Sequence, residues 1–503
     1  MNLQMGSYSP ARSFRACLVT TLMVLPCCLL RGPLHWHGYS YFLFLPAVVL
    51  ADAMFGLGIG MFALALTIFL ATIFFMDPVH TLWILPQQIP ALTLYGLSAV
   101  GAFAAIEGLR LTAHEISVAW RDRWSRRAAA GSGPVTKPKQ RSGSVDMWRG
   151  FVLCTIFVNH MPGNVFEYIT FRNVSLSDSA EAFVFLSGVA MALAYGRKFA
   201  AGREGEVAVS LIKRTVKLYG IHVLMSLAAI AIFAAGAIYW RAPGLMAMHG
   251  RDLYVKDADA FLAGILSLGH QIGYFNILPI YIALNVAVPV LLYLARIRLD
   301  LMLLVSALLY AVSRVYGWNL PSWPIQGGWF FNPFTWQFLL AIGIATGLLM
   351  QQNALPKSRF LFVLSGVIVF AGAFVVTNGF GLSFGVRDAV YGWLDLDKTN
   401  LGLGRLVQFL ALAYFIHGLG VSPRLAAWRA LQPLVLLGRN SLLVFVLLSL
   451  MAAVGQVLLL TGHDALWLQV VLVVGGLGIL YAAAKLTEME HQSGARLAVA
   501  RGR

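Results

Sequence analysis

The feature that most constrains the fold is a series of long, uninterrupted apolar runs joined by short polar segments. Of the 503 residues, 59% are hydrophobic and only 12% are charged, and the mean hydropathy is +0.76. A soluble domain is nearer to 45–50% apolar and about 25% charged. Only helices and closed barrels satisfy their backbone in lipid. Because the runs are continuous rather than alternating, the sequence predicts an all-α polytopic membrane protein with about 14 transmembrane helices.

A basic segment at 114–145 divides these runs into two groups. We predict four spans in an N-terminal domain at 1–113 and ten in a larger domain at 146–490, with a cytoplasmic tail at 491–503. The segment between the domains is rich in Arg, Lys, Gly and Pro, which is typical of a cytoplasmic linker. The predicted spans are 14–30, 39–55, 58–76, 90–110, 150–168, 181–196, 213–240, 271–295, 300–316, 334–351, 361–377, 401–418, 433–460 and 467–485.

The net charge of +16 is explained by basic cytoplasmic loops under the positive-inside rule. Nucleic-acid binding is not predicted, because no soluble basic face with a supporting motif is present. The four cysteines all fall within apolar runs. Their spacing fits neither a disulfide framework nor a metal site, and no metal is predicted.

One stretch, from Asp146 to Gly188, carries ionisable residues within apolar sequence. They are Asp146, Arg149, His160, Asp178 and Glu181. Charged and titratable side chains are costly in lipid, so they usually face a bundle interior or a watery cavity and are functional candidates.

The spacing of these residues predicts a site between two neighbouring spans. His160 lies eleven residues after Arg149, or about 16 Å along a helix, near the middle of the membrane. Asp178 and Glu181 are three residues apart at the outer mouth of the next span and so share a helical face. The short connection makes the two spans antiparallel, which allows the carboxylates to approach His160.

A histidine beside a carboxylate and away from bulk water suits general-base catalysis. We therefore predict His160 as a base for a substrate hydroxyl, with Asp178 or Glu181 orienting its ring and Asn159 next to it. The structural alternative is that His160 caps a broken helix and Asp178 merely caps the next one.

Basic residues at the cytoplasmic mouth are candidates for binding phosphates. Asp146 and Arg149 begin the first span of the larger domain, and Lys213 and Arg214 open its third. Cationic side chains clustered in this way bind phosphate groups. Ordinary positive-inside anchoring is the alternative.

Polar and aromatic residues also gather at the outer ends of later spans. Asn332, Trp336 and Gln337 occur in F-N-P-F-T-W-Q, and Asp397 begins D-K-T-N. Trp318, Trp323 and Trp329 lie nearby in the sequence. Such residues suit a sugar-binding surface, but an aromatic belt at the membrane interface has the same composition.

Several motifs taken together resemble the OpgC family. They are D-M-W-R-G, I-F-V-N-H-M-P-G-N, S-D-S-A-E-A-F-V-F-L-S-G, R-T-V-K-L-Y-G-I-H, I-L-P-I-Y, F-N-P-F-T-W-Q, D-K-T-N-L-G and L-G-R-N-S-L. The resemblance covers roughly 140–490. Members of this family are inner-membrane O-succinyltransferases of periplasmic glucans, within the integral-membrane acyltransferase clan with its ten-span core.

The resemblance implies transfer of a succinyl or similar acyl group from cytoplasmic acyl-CoA, as co-substrate, to a glucan hydroxyl in the periplasm. The family's D-x-x-R-G motif falls on Asp146 and Arg149, its N-H pair on Asn159 and His160, and its D-x-x-E pair on Asp178 and Glu181. Asn440 departs from the pattern, since the family has His at this position.

Two further interpretations concern the N-terminal part of the chain and an alternative function. Residues 1–112 resemble the four-helix membrane domain of osmosensing histidine kinases, on the motifs F-L-P-A-V-V-L-A-D-A-M-F-G-L-G-I-G and F-F-M-D-P. A transporter or flippase for an anionic or sugar-linked substrate is the alternative function, because it would use the same buried charges as a translocation path.

Overall fold

The computed structural model describes residues 44–74, 84–90, 95–101, 143–378 and 394–501, with isolated residues before and between these ranges. Within them the regular structure is helical, apart from one isolated antiparallel bridge. This agrees with the predicted all-α class. Most of the predicted span at 14–30 and of the predicted linker at 114–145 lies outside the described residues.

The chain forms two compact units. The first consists of Met1–Gly133 and Val209–Ser267, and the second of Pro134–Ala208 and Leu268–Arg503. All the predicted site residues except Lys213 and Arg214 lie in the second unit. The domain boundaries that we predict at 113 and 146 stay a prediction.

The described helices are numbered along the chain. They are α1 (Leu45–Phe55), α2 (Leu57–Phe74), α3 (Gly143–Asn159), α4 (Ser179–Met191), α5 (Arg197–Ala200), α6 (Glu204–Tyr239), α7 (Asp252–Lys256), α8 (Ala258–Leu266), α9 (Ile277–Ile297), α10 (Leu299–Tyr316), α11 (Pro333–Gln351), α12 (Arg359–Val376), α13 (Leu403–Leu419), α14 (Ser422–Ala427), α15 (Gln432–Arg439), α16 (Ser441–Leu460), α17 (Leu466–Val470) and α18 (Gly476–Arg501). A π-helical turn at Ala192–Gly196 joins α4 to α5, and another at Val471–Gly475 joins α17 to α18.

Nine helices among the described residues are long and apolar enough to cross a membrane. Of these, α2 lies in the predicted N-terminal domain, and the other eight match predicted spans between 146 and 490. The two remaining spans predicted there correspond to the 17-residue helices α3 and α13. The chain is therefore a multi-pass helical membrane protein, and the total of about 14 spans stays a prediction.

Glycines let two pairs of helices in the second unit pack backbone against backbone. A Cβ atom on Gly438 of α15 would lie 1.8 Å from the carbonyl oxygen of Asp146, and one on Gly150 of α3 would lie 1.9 Å from a carbonyl oxygen of α15. Gly188 of α4 and Gly343 of α11 also pack closely, since a Cβ atom on either would lie 2.3 Å from the facing backbone. Small residues at such contacts are typical of membrane helix pairs.

The first predicted span of the larger domain has the wrong limits. Instead of 150–168, the helix runs from Gly143 to Asn159. The side-chain amide of Asn164 donates hydrogen bonds to two preceding carbonyl oxygens, at 2.9 and 2.5 Å. These bonds occupy carbonyl groups that a continuing helix would use, so the helix ends. Two short 3-10 helices follow before α4.

The predicted span at 433–460 is also wrong in detail, because the helix is interrupted at Asn440. The backbone there leaves the helical conformation, with φ −102° and ψ 31°. The Asn440 side chain donates a hydrogen bond to the carbonyl oxygen of Leu436, 3.1 Å away. Asn favours such local side-chain bonds over a continuing helix.

The first unit contains α1, α2 and most of α6. Leu50 of α1 packs against Gly220 of α6, and the hydroxyl groups of Thr67 and Tyr95 lie 2.8 Å apart. Helix α6 thus packs against the N-terminal helices, although its sequence falls within the larger predicted domain.

Candidate functional site

His160 lies in the turn that directly follows α3, so its ring sits at a helix end rather than halfway along a span. Helix α3 begins at Gly143 and ends at Asn159, and the predicted depth of His160 near the middle of the membrane stays a prediction. The His160 side chain is half-buried. Within the described residues its Nδ1 is buried without a hydrogen-bond partner, which leaves Nε2 as the accessible ring nitrogen.

Side chains from other elements hold the His160 turn in place. Gln456 of α16 donates a hydrogen bond to the His160 carbonyl oxygen at 2.6 Å. The Thr170 hydroxyl donates to the side-chain oxygen of Asn159 at 2.8 Å, and the Val165 N–H donates to the Gln469 side chain at 2.8 Å. In this structure Asn159 therefore orders the turn beside His160, and its catalytic role stays a prediction.

Asp178 and Glu181 form a capping box at the start of α4. One oxygen of Asp178 accepts a hydrogen bond from the Ala180 N–H at 2.8 Å, and the Asp178 N–H donates to Glu181 at 2.9 Å. Asp178 therefore caps α4, as the structural alternative proposes for this residue. The cap uses only one oxygen of each carboxylate and leaves the other available.

Two cations occupy those remaining oxygens. Lys398 Nζ donates to Asp178 Oδ2 at 2.5 Å. Arg405 Nε donates to Glu181 Oε1 at 2.6 Å, and Arg405 Nη2 lies 3.2 Å from Asp178 Oδ2. We call these four residues, Asp178, Glu181, Lys398 and Arg405, the charge cluster.

Exposure differs strongly among the members of the charge cluster. The Glu181 side chain is 0% exposed and that of Arg405 is 12% exposed, whereas that of Lys398 is 36% exposed. Burial alone would raise the pKa of Asp178, but the Lys398 ammonium and the Arg405 guanidinium outweigh it and hold the pKa below its ordinary value. Asp178 is therefore an ionised acceptor near neutral pH and not a proton donor.

The charge cluster lies close enough to His160 for Asp178 and Lys398 to act electrostatically on its ring. No hydrogen bond joins the ring to Asp178 or Glu181 within the described residues, and both carboxylates are bound to cations. The ring instead meets Tyr274 edge-on, with the centroids 5.0 Å apart. Tyr274 has a φ of +72°, a conformation that costs a non-glycine residue energy and tends to occur at functional sites.

Asn332, Trp336 and Gln337 are all buried at the start of α11. The Asn332 amide donates to Asn400 at 2.9 Å and to the Trp318 carbonyl oxygen at 2.7 Å. Trp336 Nε1 donates to the carbonyl oxygen of Lys398 at 3.2 Å. These contacts hold the turn that carries Lys398, and the predicted role in substrate binding stays untested.

The remaining contacts of this region are also internal. Gln337 donates to the Ser306 carbonyl oxygen at 2.9 Å. Asp397 accepts hydrogen bonds from the Thr399 N–H at 2.8 Å and from the Asn400 amide at 2.7 Å. Asp397 therefore shapes the turn, and its neighbour Lys398 is the residue that reaches the charge cluster.

At the opposite end of α3, Asp146 and Arg149 are both buried. Arg149 Nη2 donates to the Ser441 hydroxyl at 2.7 Å, and Arg439 Nε lies 3.7 Å from Asp146. Arg439 is more exposed, and with Glu488 it lines a cavity of about 710 Å³.

Lys213 and Arg214, which we predict to bind phosphate, lie on the part of α6 that belongs to the first unit. Lys213 is exposed and Arg214 is half-buried. Their role stays a prediction.

Sequence reasoning missed Lys398, Arg405 and Arg439. A signal was present for the first two, because D-K-T-N-L-G-L-G-R places one cation just before a predicted span and another in its first turns. Buried carboxylates at 178 and 181 need cationic partners in a membrane protein, and this segment could have supplied them.

The fold and the site together define a multi-pass helical membrane protein with a histidine and a buried charge cluster at one end of its second unit. Comparison with protein families adds a specific assignment: the model described as OpgC protein matches residues 141–492. Since the match covers well over half of the chain, the protein belongs to the OpgC family. Membership implies an acyltransferase. No curated protein and no solved structure matches the chain.

Proposed function

We propose that the protein transfers a succinyl group from cytoplasmic acyl-CoA to hydroxyl groups of a periplasmic glucan, with His160 as the general base. The observation that carries this proposal is the placement of a half-buried His160 ring within electrostatic reach of the ionised Asp178 and of Lys398. A base of this kind suits attack by a substrate hydroxyl.

The reaction needs one proton acceptor and no covalent enzyme intermediate. His160 Nε2 takes the proton of the glucan hydroxyl while its oxygen attacks the thioester carbonyl carbon. The carbon–sulfur bond then breaks, and the imidazolium returns the proton to the departing thiolate. The products are the glucan ester and free CoA, so atoms and charge balance.

For Nε2 to accept a proton, the neutral ring must carry its hydrogen on Nδ1. This nitrogen is buried without a partner among the described residues, which is an unfavourable place for an isolated N–H. The negative charge of Asp178 favours a proton on the nearby ring, but burial and the positive charge of Lys398 oppose it and have the larger effects. In this proposal Asp178 acts through its field, in place of the direct hydrogen bond of a catalytic triad.

The two substrates are proposed to approach from opposite ends of α3. Acyl-CoA phosphates are expected at the Gly143 end, where the accessible guanidinium of Arg439 lines the cavity with Glu488. Buried Arg149, bound to Ser441, would support this region from inside. We place this end in the cytoplasm because the basic loops predict it.

The glucan is expected at the His160 end, which we place on the periplasmic side of an inner membrane. Trp318 and Trp323 are exposed, whereas Trp329 and Trp336 are buried. The exposed pair is therefore the part of the tryptophan group that remains available to pack against sugar rings.

Purified full-length protein in detergent, given labelled succinyl-CoA and neutral periplasmic glucan, tests this function. We expect the label to appear in ester linkage on the glucan, which mass spectrometry of the product verifies. A transporter or flippase makes no ester, so the absence of labelled glucan with folded protein would contradict the proposal.

A further inference from the structure

Lys398 is an accessible cation of the charge cluster with N–H donors to spare. Its ammonium has three N–H donors, and one is given to Asp178. Within the described residues its other close contact is the Phe331 ring, with Nζ 6.0 Å from the ring centroid. Its side chain is also the most exposed of the four.

Arg405, the other cation, is held in ion pairs inside the protein. It binds both carboxylates, and the Glu181 side chain it contacts is completely buried. Removing Arg405 from Glu181 would leave a buried charge unpaired, which is strongly unfavourable. If Lys398 turns toward another anion, by contrast, Asp178 keeps its ion pair with Arg405.

Hydrogen bonds involving Trp336 and Asp397 hold the turn that carries Lys398. Trp336 Nε1 donates to the backbone carbonyl oxygens of both Lys398 and Thr399, at 3.2 and 3.1 Å. The side chain of Asp397 closes the same turn. The ammonium is thereby presented close enough to act electrostatically on the His160 ring.

We infer that Lys398 binds the free carboxylate of the acyl group being transferred, and so selects dicarboxylic acyl donors over neutral ones of equal length. The inference rests on the proposed function. In a succinyl group two methylenes separate the thioester carbonyl from the carboxylate. A cation that binds this carboxylate must therefore lie close to the base that activates the attacking hydroxyl. Lys398 lies within electrostatic reach of that base, His160.

The test compares succinyl-CoA with butyryl-CoA, which has the same chain length but ends in a methyl group. The unaltered protein should give a much higher kcat/KM with succinyl-CoA. In Lys398→Met this preference should fall by about tenfold to a hundredfold, the range for a lost charged hydrogen bond. The kcat/KM for butyryl-CoA should change far less than the kcat/KM for succinyl-CoA, and Lys398→Arg should restore part of the preference.

Lys256→Met is the matched control, because Lys256 forms an exposed ion pair with Asp252. Its donor preference should be unchanged. Equal losses with both donors in Lys398→Met would mean that Lys398 only orders Asp178, and would overturn the inference. An unaltered protein that uses both donors equally well would also overturn it, with no variant needed. If the unaltered protein forms no ester with either donor, the proposed function itself fails.

Discussion

Lys398 and Asp178 are 220 positions apart in the chain, yet the Lys398 ammonium donates a hydrogen bond of 2.5 Å to the Asp178 carboxylate. This contact joins the start of α4 to the turn before α13. It also brings a cation with spare donors to the end of the second unit where His160 lies. The candidate site is therefore assembled by packing between distant segments of the chain.

Replacing Arg405 by Met should destabilise the protein severely. The substitution leaves Glu181 buried without its cation, and breaking one partner of a buried pair costs about 3–5 kcal/mol. The apparent melting temperature in detergent should fall far more in Arg405→Met than in Lys398→Met, because Lys398 is more exposed and Asp178 keeps Arg405 as a partner. Equal shifts of the melting temperature in the two variants would show that Arg405 does not stabilise the charge cluster more than Lys398 does.

Replacing Gly438 by Ala should force α3 and α15 apart. The added methyl group would lie 1.8 Å from the Asp146 carbonyl oxygen, and overpacking of this kind typically costs about 1–3 kcal/mol. Gly478→Ala on α18 is the matched control, because its added methyl group meets no atom within 4 Å. Thermal unfolding should show a loss for Gly438→Ala and no loss for Gly478→Ala, since Ala has the better helix propensity. A neutral Gly438→Ala would contradict the close packing.

Replacing Asn285 by Leu should stabilise the protein. This side chain on α9 is only 1% exposed. Within the described residues neither its amide nitrogen nor its amide oxygen has a hydrogen-bond partner. Leaving a buried polar group unsatisfied costs about 1–3 kcal/mol, so an apolar residue of similar size should raise the apparent melting temperature.

Asn332→Leu provides the contrast to Asn285→Leu. Asn332 is equally buried, but its amide binds Ser313, Asn400 and the Trp318 carbonyl oxygen. Its loss should therefore lower the melting temperature. A destabilised Asn285→Leu would indicate that the amide has a polar partner in the folded protein.

The sequence was sufficient to predict the helical membrane class and the packing of α3 beside α4. Both follow from local patterns: long apolar runs for the helices, and a short connection that makes α3 and α4 neighbours. Helix ends were less predictable. The limits of α3 depend on Asn164, whose side chain takes two backbone carbonyl groups, and hydropathy carries no information about such bonds.

The partners of the carboxylates could not be identified from sequence. Spacing along one helix relates Asp178 to Glu181, but nothing local relates either of them to Lys398 or Arg405, more than 200 positions away. The burial of Trp336 was equally hidden, because a tryptophan at a helix start suits an interface belt, a sugar surface or a packed core. Only the contacts with the Lys398 turn distinguish these roles.

The rate of glucan ester formation by His160→Gln tests the central claim most directly. Loss of a general base should lower kcat by about 10²- to 10⁴-fold, while His463→Gln, which alters an exposed histidine, should leave kcat unchanged. Both variants must match the unaltered protein in amount and in apparent melting temperature. If His160→Gln then forms the ester at the normal rate, His160 is not the base and the proposed mechanism is wrong.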